Sequence, residues 1–417
     1  MVGTMAKIDD SVKKKVPELR FPGFTDDWEE RKLGSLTTVV RGASPRPIQD
    51  PKWFDKESDI GWLRIADVTE QNGRIYHLEQ HISKLGQEKT RVLTEPHLLL
   101  SIAATVGKPV VNYVKTGVHD GFLIFLNPTF EREFMFQWLE MFRPKWQKYG
   151  QPGSQVNLNS ELVRNQEIVL PNYKEQQKIG SFFKQLDNTI TLHQRKIDLL
   201  KEQKKGYLQK MFPKNGEKVP ELRFAGFADA WVQRNLGEWS DVRDGTHASP
   251  KYIEQGRPMV TSKNLTDSGL DMSDVSYLTD EDFNEINQRS KVDIGDILFG
   301  MIGTIGKPVI VDRDDFAIKN VALIKEKTLP EIINTWLIQY LNSPSFERFI
   351  QKENAGGTQK FIALGLIRDM KLMTPSVQEQ ARIGELLNHL DNLIAANQRK
   401  LDLLKEQKKG FLQKMFV

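Results

Sequence analysis

The sequence predicts an α/β (mixed α+β) protein built as a pseudo-twofold tandem repeat, in which two unlike domains are separated by two long helices packed as an antiparallel coiled coil. Three observations carry this. The stretch "IDLLKEQKKGYLQKMF" at 197–212 returns as "LDLLKEQKKGFLQKMF" at 401–416. "VPELRFPGF" from Val16 returns as "VPELRFAGF" from Val219. Between these phrases lie blocks that share only fragments, "ATVGKPV" ending at Val110 against "GTIGKPV" ending at Val309. Self-similarity at a fixed period is the mark of a repeat architecture.

The elements follow in order. An N-terminal segment, 1–24, leads into a first variable domain, 25–173, and a first long helix, 174–214. A linker, 215–227, opens the second half, which has a variable domain at 228–378 and a distal helix at 379–417. Within the variable domains, "LIFL" and "DILFGMIG" read as strands and "FMFQWLEMFRPKWQKY" as a helix, with Gly, Pro and Asn at the turns. Each domain exits through a Pro followed by a Glu-Gln pair: Pro171 with Glu175 and Gln176, Pro375 with Glu379 and Gln380. "FPKNGEK" after Met211 stops the first helix.

Over 177–212 and 381–416, 23 of 36 positions are identical, so sameness lies in the helices and difference in the domains. Ile179, Phe183, Leu186, Ile190, His193, Ile197 and Leu200 alternate at spacings of four and three, continuing through Lys204, Tyr207 and Met211. Ile383, Leu387, Leu390, Ile394, Asn397, Leu401 and Leu404 repeat the pattern, continuing through Lys408, Phe411 and Met415. This is a coiled-coil seam. A parallel in-register pair sets Lys204 against Lys408, whereas an antiparallel pair places Lys204 near Leu390 and Lys408 near Leu186, where the stems pack and the ammonium groups reach water. It also brings His193 and Asn397 within a heptad of each other, where a polar contact sets register. The same periodicity fits two independent surface helices or a homodimerisation device.

Composition closes several function classes. There is no cysteine, which excludes disulfides, thiolate zinc sites and a Cys nucleophile. No apolar run has the length of a membrane span and the N-terminus lacks a signal-peptide core, so a cytoplasmic protein with no membrane partner is expected. "GMIGTIGKP" fails as a phosphate loop because Met301 stands where Gly is required and Pro308 follows Lys307. "HLEQH", His77–His81, lacks the Glu of a zinc helix. No glycine-rich cofactor fingerprint follows a strand, and no Asn-Pro-Pro-aromatic motif for amino methylation occurs. No catalytic residue, metal ligand or bound cofactor is therefore expected on this chain.

What remains suits DNA reading. Formal charge is +6 over 174–214 and +2 over 379–417, but −1 and −5 over 25–173 and 228–378, so any nucleic-acid face in the domains is a local cluster. "VVRGASPRPIQDPKW" supplies Arg41, Ser44, Arg46 and Lys52, and "VRDGTHASPKY" supplies Arg243, Thr246, His247 and Lys251, all donors for phosphates or base edges. Arg64 in "WLRIADV" and Lys263 and Asn264 in "VTSKNL" join them, as do Lys108 and Lys307 in the strand-turn phrases. A third pair of clusters is Gln151, Ser154, Gln155, Asn157 and Asn159 against Thr358, Gln359 and Lys360. The bland reading of each loop is a Gly/Pro-shaped turn with solvated charges.

The duplicated "VPELRF.GF...W" openings, the "DGTHASP" loop, "DILFGMIGTIGKPV", the "P...EQ..I" exits and the twin helices closely resemble the specificity subunit of type I restriction-modification systems. The resemblance implies that each variable block is a target-recognition domain reading one half of a bipartite double-stranded DNA site, and that the antiparallel helices fix the gap between the halves. It also implies docking of two adenine-N6 methyltransferase subunits using S-adenosylmethionine and two motor-nuclease subunits using ATP and Mg, with catalysis confined to those partners. The first loop departs from the pattern, "RGASPRP" standing where the second half has "RDGTHASP". A non-catalytic scaffold built on a helical spacer is the alternative.

Overall fold

The computed structural model describes residues 16–149, 158–214, 217–248, 250–267, 269–303, 305–353 and 361–417. The chain forms two compact units: Met1–Leu192 with Leu401–Val417, and His193–Lys400. Each therefore combines one variable domain with parts of both long helices.

In the first unit a five-stranded sheet is built from β1 (Thr38–Arg41), β2 (Arg74–Ile75), β3 (Leu98–Ser101), β4 (Pro109–Asn112) and β5 (Phe122–Leu126), in the order β1-β5-β3-β4-β2. Only the β2–β4 pair is parallel. The apolar runs "LLLS" and "FLIFL" make β3 and β5 because both faces are covered, and β3 is buried throughout. In the second unit β6 (Ser240–Asp244), β7 (Ile297–Gly300), β8 (Gly306–Ile310) and β9 (Val321–Glu326) form an antiparallel sheet in the order β6-β9-β7-β8. The lookalike phosphate phrases are the turns into β4 and β8, with Gly107 at φ 77° and Gly306 at φ 82°.

Five helices matter here: α1 (Arg132–Trp146), α2 (Tyr173–Lys210), α3 (Asp280–Ser290), α4 (Asn334–Leu341) and α5 (Val377–Met415). The aromatic face of α1 places Phe134, Trp138, Phe142 and Trp146 in the first core, where the ring of Phe416 packs 5.2 Å from Phe134. In the second unit Phe212 packs against Trp231 and Trp336, at 6.2 and 6.0 Å between ring centres. The end of one long helix thus belongs to the core of each unit.

The exits explain themselves once folded. Glu175, fully buried, accepts two hydrogen bonds from the Arg20 guanidinium at 2.7 and 2.8 Å, and Glu379 does the same with Arg223 at 2.7 Å each. Gln176 accepts the backbone N–H of Glu131, which precedes α1, while donating to the Pro171 carbonyl. Gln380 accepts the N–H of Ile333, which precedes α4, while donating to the Pro375 carbonyl. The "VPELRF" phrases satisfy otherwise orphaned helix-end carbonyls, Leu19 N–H donating to Lys414 and Leu222 N–H to Lys210, each at 2.8 Å. The phrases that open and close each half of the sequence are the two sides of one clasp, used once per unit.

The helices pair antiparallel within each unit, and every seam position is buried or half-buried. In the first unit Phe411 meets Phe182 and Lys408 Nζ lies 2.5 Å from Asp187; in the second Lys204 Nζ lies 2.6 Å from Asp391. The seam lysines thus end on carboxylates one position beyond the predicted leucines. Asp187 also accepts from Gln137 of α1 at 2.8 Å, and Asp391 from Gln339 of α4 at 3.0 Å. Each knot ties seam, neighbouring helix and domain together. The predicted His193–Asn397 contact does not form: Asn397 donates to Leu393 of its own helix, and His193 Nδ1 is buried without a hydrogen-bond partner among the described residues.

Candidate nucleic-acid interface

The loop after β1 and the turn before β5 meet because Gly42 has no side chain. A Cβ there would lie 2.1 Å from the His119 carbonyl oxygen, and one on Gly245 would lie 2.4 Å from that of Ile318. The two approaches are equivalent, since Gly42 N–H donates to Phe122 at the start of β5 and Gly245 N–H to Val321 at the start of β9. "RGAS" and "DGTH" are therefore the same structural device in both units, despite their different sequences.

In the first unit this device gathers the predicted donors on Asp120. Ser44 donates to Oδ1 at 2.7 Å, Arg46 Nη2 to Oδ2 at 2.8 Å, and Arg41 Nε to the Asp120 carbonyl at 2.6 Å. The Ser44 hydrogen bond, with the Arg46 charge, holds the Asp120 carboxyl below the usual carboxylate range despite partial burial. Ser44, Arg46, Trp62, Arg64, His119 and Asp120 line a cavity of about 310 Å³. Burial depresses the pKa of His119, whose Nδ1 accepts the Gly121 N–H. Arg64 is committed to Asp67 and Glu79, and Lys52 pairs with Asp50 over the Trp53 ring.

In the second unit the gathering residue is Asp244, at the end of β6. His247 Nε2 lies 2.9 Å from Asp244 Oδ2, and His247 Nδ1 lies 2.9 Å from Asn320 Oδ1 in the turn before β9. Arg289, at the end of α3, binds the other Asp244 oxygen. Arg243 is engaged with Asp241, and its Nη1 donates to the Arg289 carbonyl. Thr246 bridges to Lys319, Lys251 is exposed, Lys263 pairs with Asp274, and Lys307 pairs with Asp267.

Two candidates point inward. Lys108, 13% exposed, is bound by Glu140 and Asn72, and Asn264 is buried with its amide spent on Thr261, Asp271 and Asp274. Asn159 caps the helix at Ser160–Asn165. Gln151, Ser154, Gln155, Asn157, Thr358, Gln359 and Lys360 lie outside the described residues. Sequence reasoning missed Arg91, Asp120, Asp244, Arg289 and Asn320. The available signal was the shared position of "HDG" and "KN", each just before the last strand of its sheet.

A family model of the type I restriction modification DNA specificity domain matches residues 25–202 and again 229–406. The chain belongs to that family. The two matches make it a tandem pair of DNA specificity domains, as its repeat predicts. Among curated specificity subunits it is similar to that of the type I restriction enzyme MjaVIII of Methanocaldococcus jannaschii, with 22% identity over 96% of this chain and 93% of that one. Its fold resembles the crystal structure of the type I restriction-modification S subunit from M. genitalium, with a TM-score of 0.66 and 15% identity over 96% and 99% of the two chains. Among the described residues no helix is long and apolar enough to cross a membrane.

The second specificity domain carries a testable titration. The two ring nitrogens of His247 face the Asn320 carbonyl oxygen and the Asp244 carboxylate, so the doubly protonated ring is favoured and its pKa is raised. Its contribution to stability is fully present below the unfolded value and fades as pH rises through the folded one. An NMR titration of His247 is expected to give a midpoint above 6.5, falling in Asn320→Ala. A midpoint at or below 6.5 contradicts the assignment.

Proposed function

We propose that this chain supplies the DNA specificity of a type I restriction-modification complex, each domain reading one half of a bipartite duplex target and the paired helices setting the gap between halves. The observation that carries this reading is the duplicated loop device, which gathers Arg41, Ser44 and Arg46 in one domain and His247 and Arg289 in the other. Because the domains carry little or negative net charge, such clusters, rather than bulk attraction, supply the interface.

The helices support two copies of one partner. Lys201, Glu202, Gln203 and Lys205 recur as Lys405, Glu406, Gln407 and Lys409, all of them exposed, and Leu199 and Leu403 are 71% and 47% exposed. Packing does not require identity at exposed positions, whereas docking of two identical methyltransferase subunits does. Methyl transfer with S-adenosylmethionine, and ATP- and Mg-dependent translocation and cleavage, fall to partner subunits in this reading.

Methylation profiling of host DNA with and without the chain tests it. A bipartite methyladenine motif is expected to vanish on deletion; motifs that all persist would sink the reading.

A further inference from the structure

Within the two clusters the guanidinium groups are held differently. Arg243 grips Asp241 and the Arg289 carbonyl and Arg64 is shared by Asp67 and Glu79, whereas Arg41 and Arg91 each donate through Nε to a backbone carbonyl and are held by no carboxylate among the described residues. Arg46 and Arg289 differ. Their side chains are 79% and 71% exposed, and each is held through Nη2 by one carboxylate oxygen, of Asp120 and Asp244 respectively. The second oxygen of each carboxylate is occupied, by Ser44 in one unit and by His247 in the other.

That second bond matters physically. A surface ion pair with a free carboxylate wanders, and its arginine sweeps a wide cone of solvent. A carboxylate fastened on both oxygens is a fixed post; Asp244 is 10% exposed, and Asp120, 35% exposed, is held in addition by its own backbone N–H, which donates to Ser44. The guanidinium is then aimed, with one edge of its fork carrying no hydrogen bond among the described residues. Guanine presents two adjacent acceptors, O6 and N7, in the major groove, and the planar fork of arginine matches both at once, whereas a lysine does not.

Building on the proposed role in DNA recognition, we infer that Arg46 and Arg289 each read a guanine, one in each half of the target, with Asp120 and Asp244 as their positioning residues. Each half-site then contains at least one G·C pair whose identity depends on its own arginine.

The test profiles methylation in cells carrying Arg46→Lys or Arg289→Lys in the full chain with its native partners. Each variant is expected to relax one guanine position, in opposite halves, lowering discrimination there about tenfold or more, while the gap and the other half stay unchanged. Asp244→Asn is expected to relax the same position as Arg289→Lys. Should a variant methylate nothing, competition binding of the complete complex to duplexes altered at each G·C pair reads the same preference without chemistry. A uniform loss across all sequences, with a salt dependence reduced by about one phosphate contact, would mark these arginines as backbone contacts and overturn the inference. So would a half-site without any G·C pair. If the motif does not depend on the chain at all, the underlying functional reading fails as well, which the deletion strain reveals separately.

Discussion

Replacing Asp187 with Ala is expected to destabilise the first unit by about 3–5 kcal/mol, read as a fall in the urea unfolding midpoint. Its carboxylate, 12% exposed, is shared by Lys408 at 2.5 Å, Arg74 at 3.1 Å and Gln137 at 2.8 Å. Arg74 is also bound by Glu133, which lies 3.5 Å from Lys184. Truncation therefore leaves Arg74 and Lys408, 11% and 18% exposed, with Glu133 as the remaining nearby carboxylate among the described residues, and Glu133 is already shared with the half-exposed Lys184. The sequence-equivalent Asp391→Ala is expected to cost less, about 1–3 kcal/mol, because Asp391 is 40% exposed and answers one cation rather than two, although Lys204 and the buried Gln339 amide lose it as a partner. Equal losses in the two variants would contradict this account.

The same residue gives a pH signature. Burial alone would push the Asp187 carboxyl up, but Lys408, then Gln137 and Arg74, more than offset it and hold it below its ordinary 3.8. Its contribution is complete above the unfolded value and is lost as pH falls through the folded one. Asp187→Asn is accordingly expected to flatten the loss of stability below about pH 4.

Legibility followed sequence distance. The seam was readable because a heptad repeat is local, and the exits because "P...EQ" recurs; their partners, Arg20 and Arg223, lie about 155 residues away and were visible only as repeated phrases. Asp187 was not readable as buried, because one position off an apolar stripe a carboxylate looks solvated until Lys408 and Arg74 arrive from elsewhere in the chain. The antiparallel direction followed from repulsion between Lys204 and Lys408, while the carboxylates that receive them did not. Arg289 was hidden for a related reason: it closes a helix 45 residues beyond the Asp244 it binds. Two-residue strands such as Gly61–Trp62 are too short to display any period.

Deleting one heptad from each long helix is expected to shorten the gap between half-sites by about three base pairs, since seven residues rise about 10 Å and each base pair about 3.4 Å. Segments 190–196 and 399–405 share the residue offset of the Lys204–Asp391 and Lys408–Asp187 pairs, one pair in each unit. Removing both keeps seam register, both lysine–carboxylate knots and both exit clasps, so assembly with partners is expected to survive. Removing either alone slips one helix against the other and is expected to break assembly. In the double deletion the coil loses nearly two whole helical turns, whereas three base pairs rotate B-DNA by roughly 100°. The shortened duplex must therefore twist to present both half-sites, and methylation is expected to weaken as the gap contracts. Methylation profiling reads both effects, and a motif that keeps its original spacing in an assembled complex would show that something other than these helices sets it.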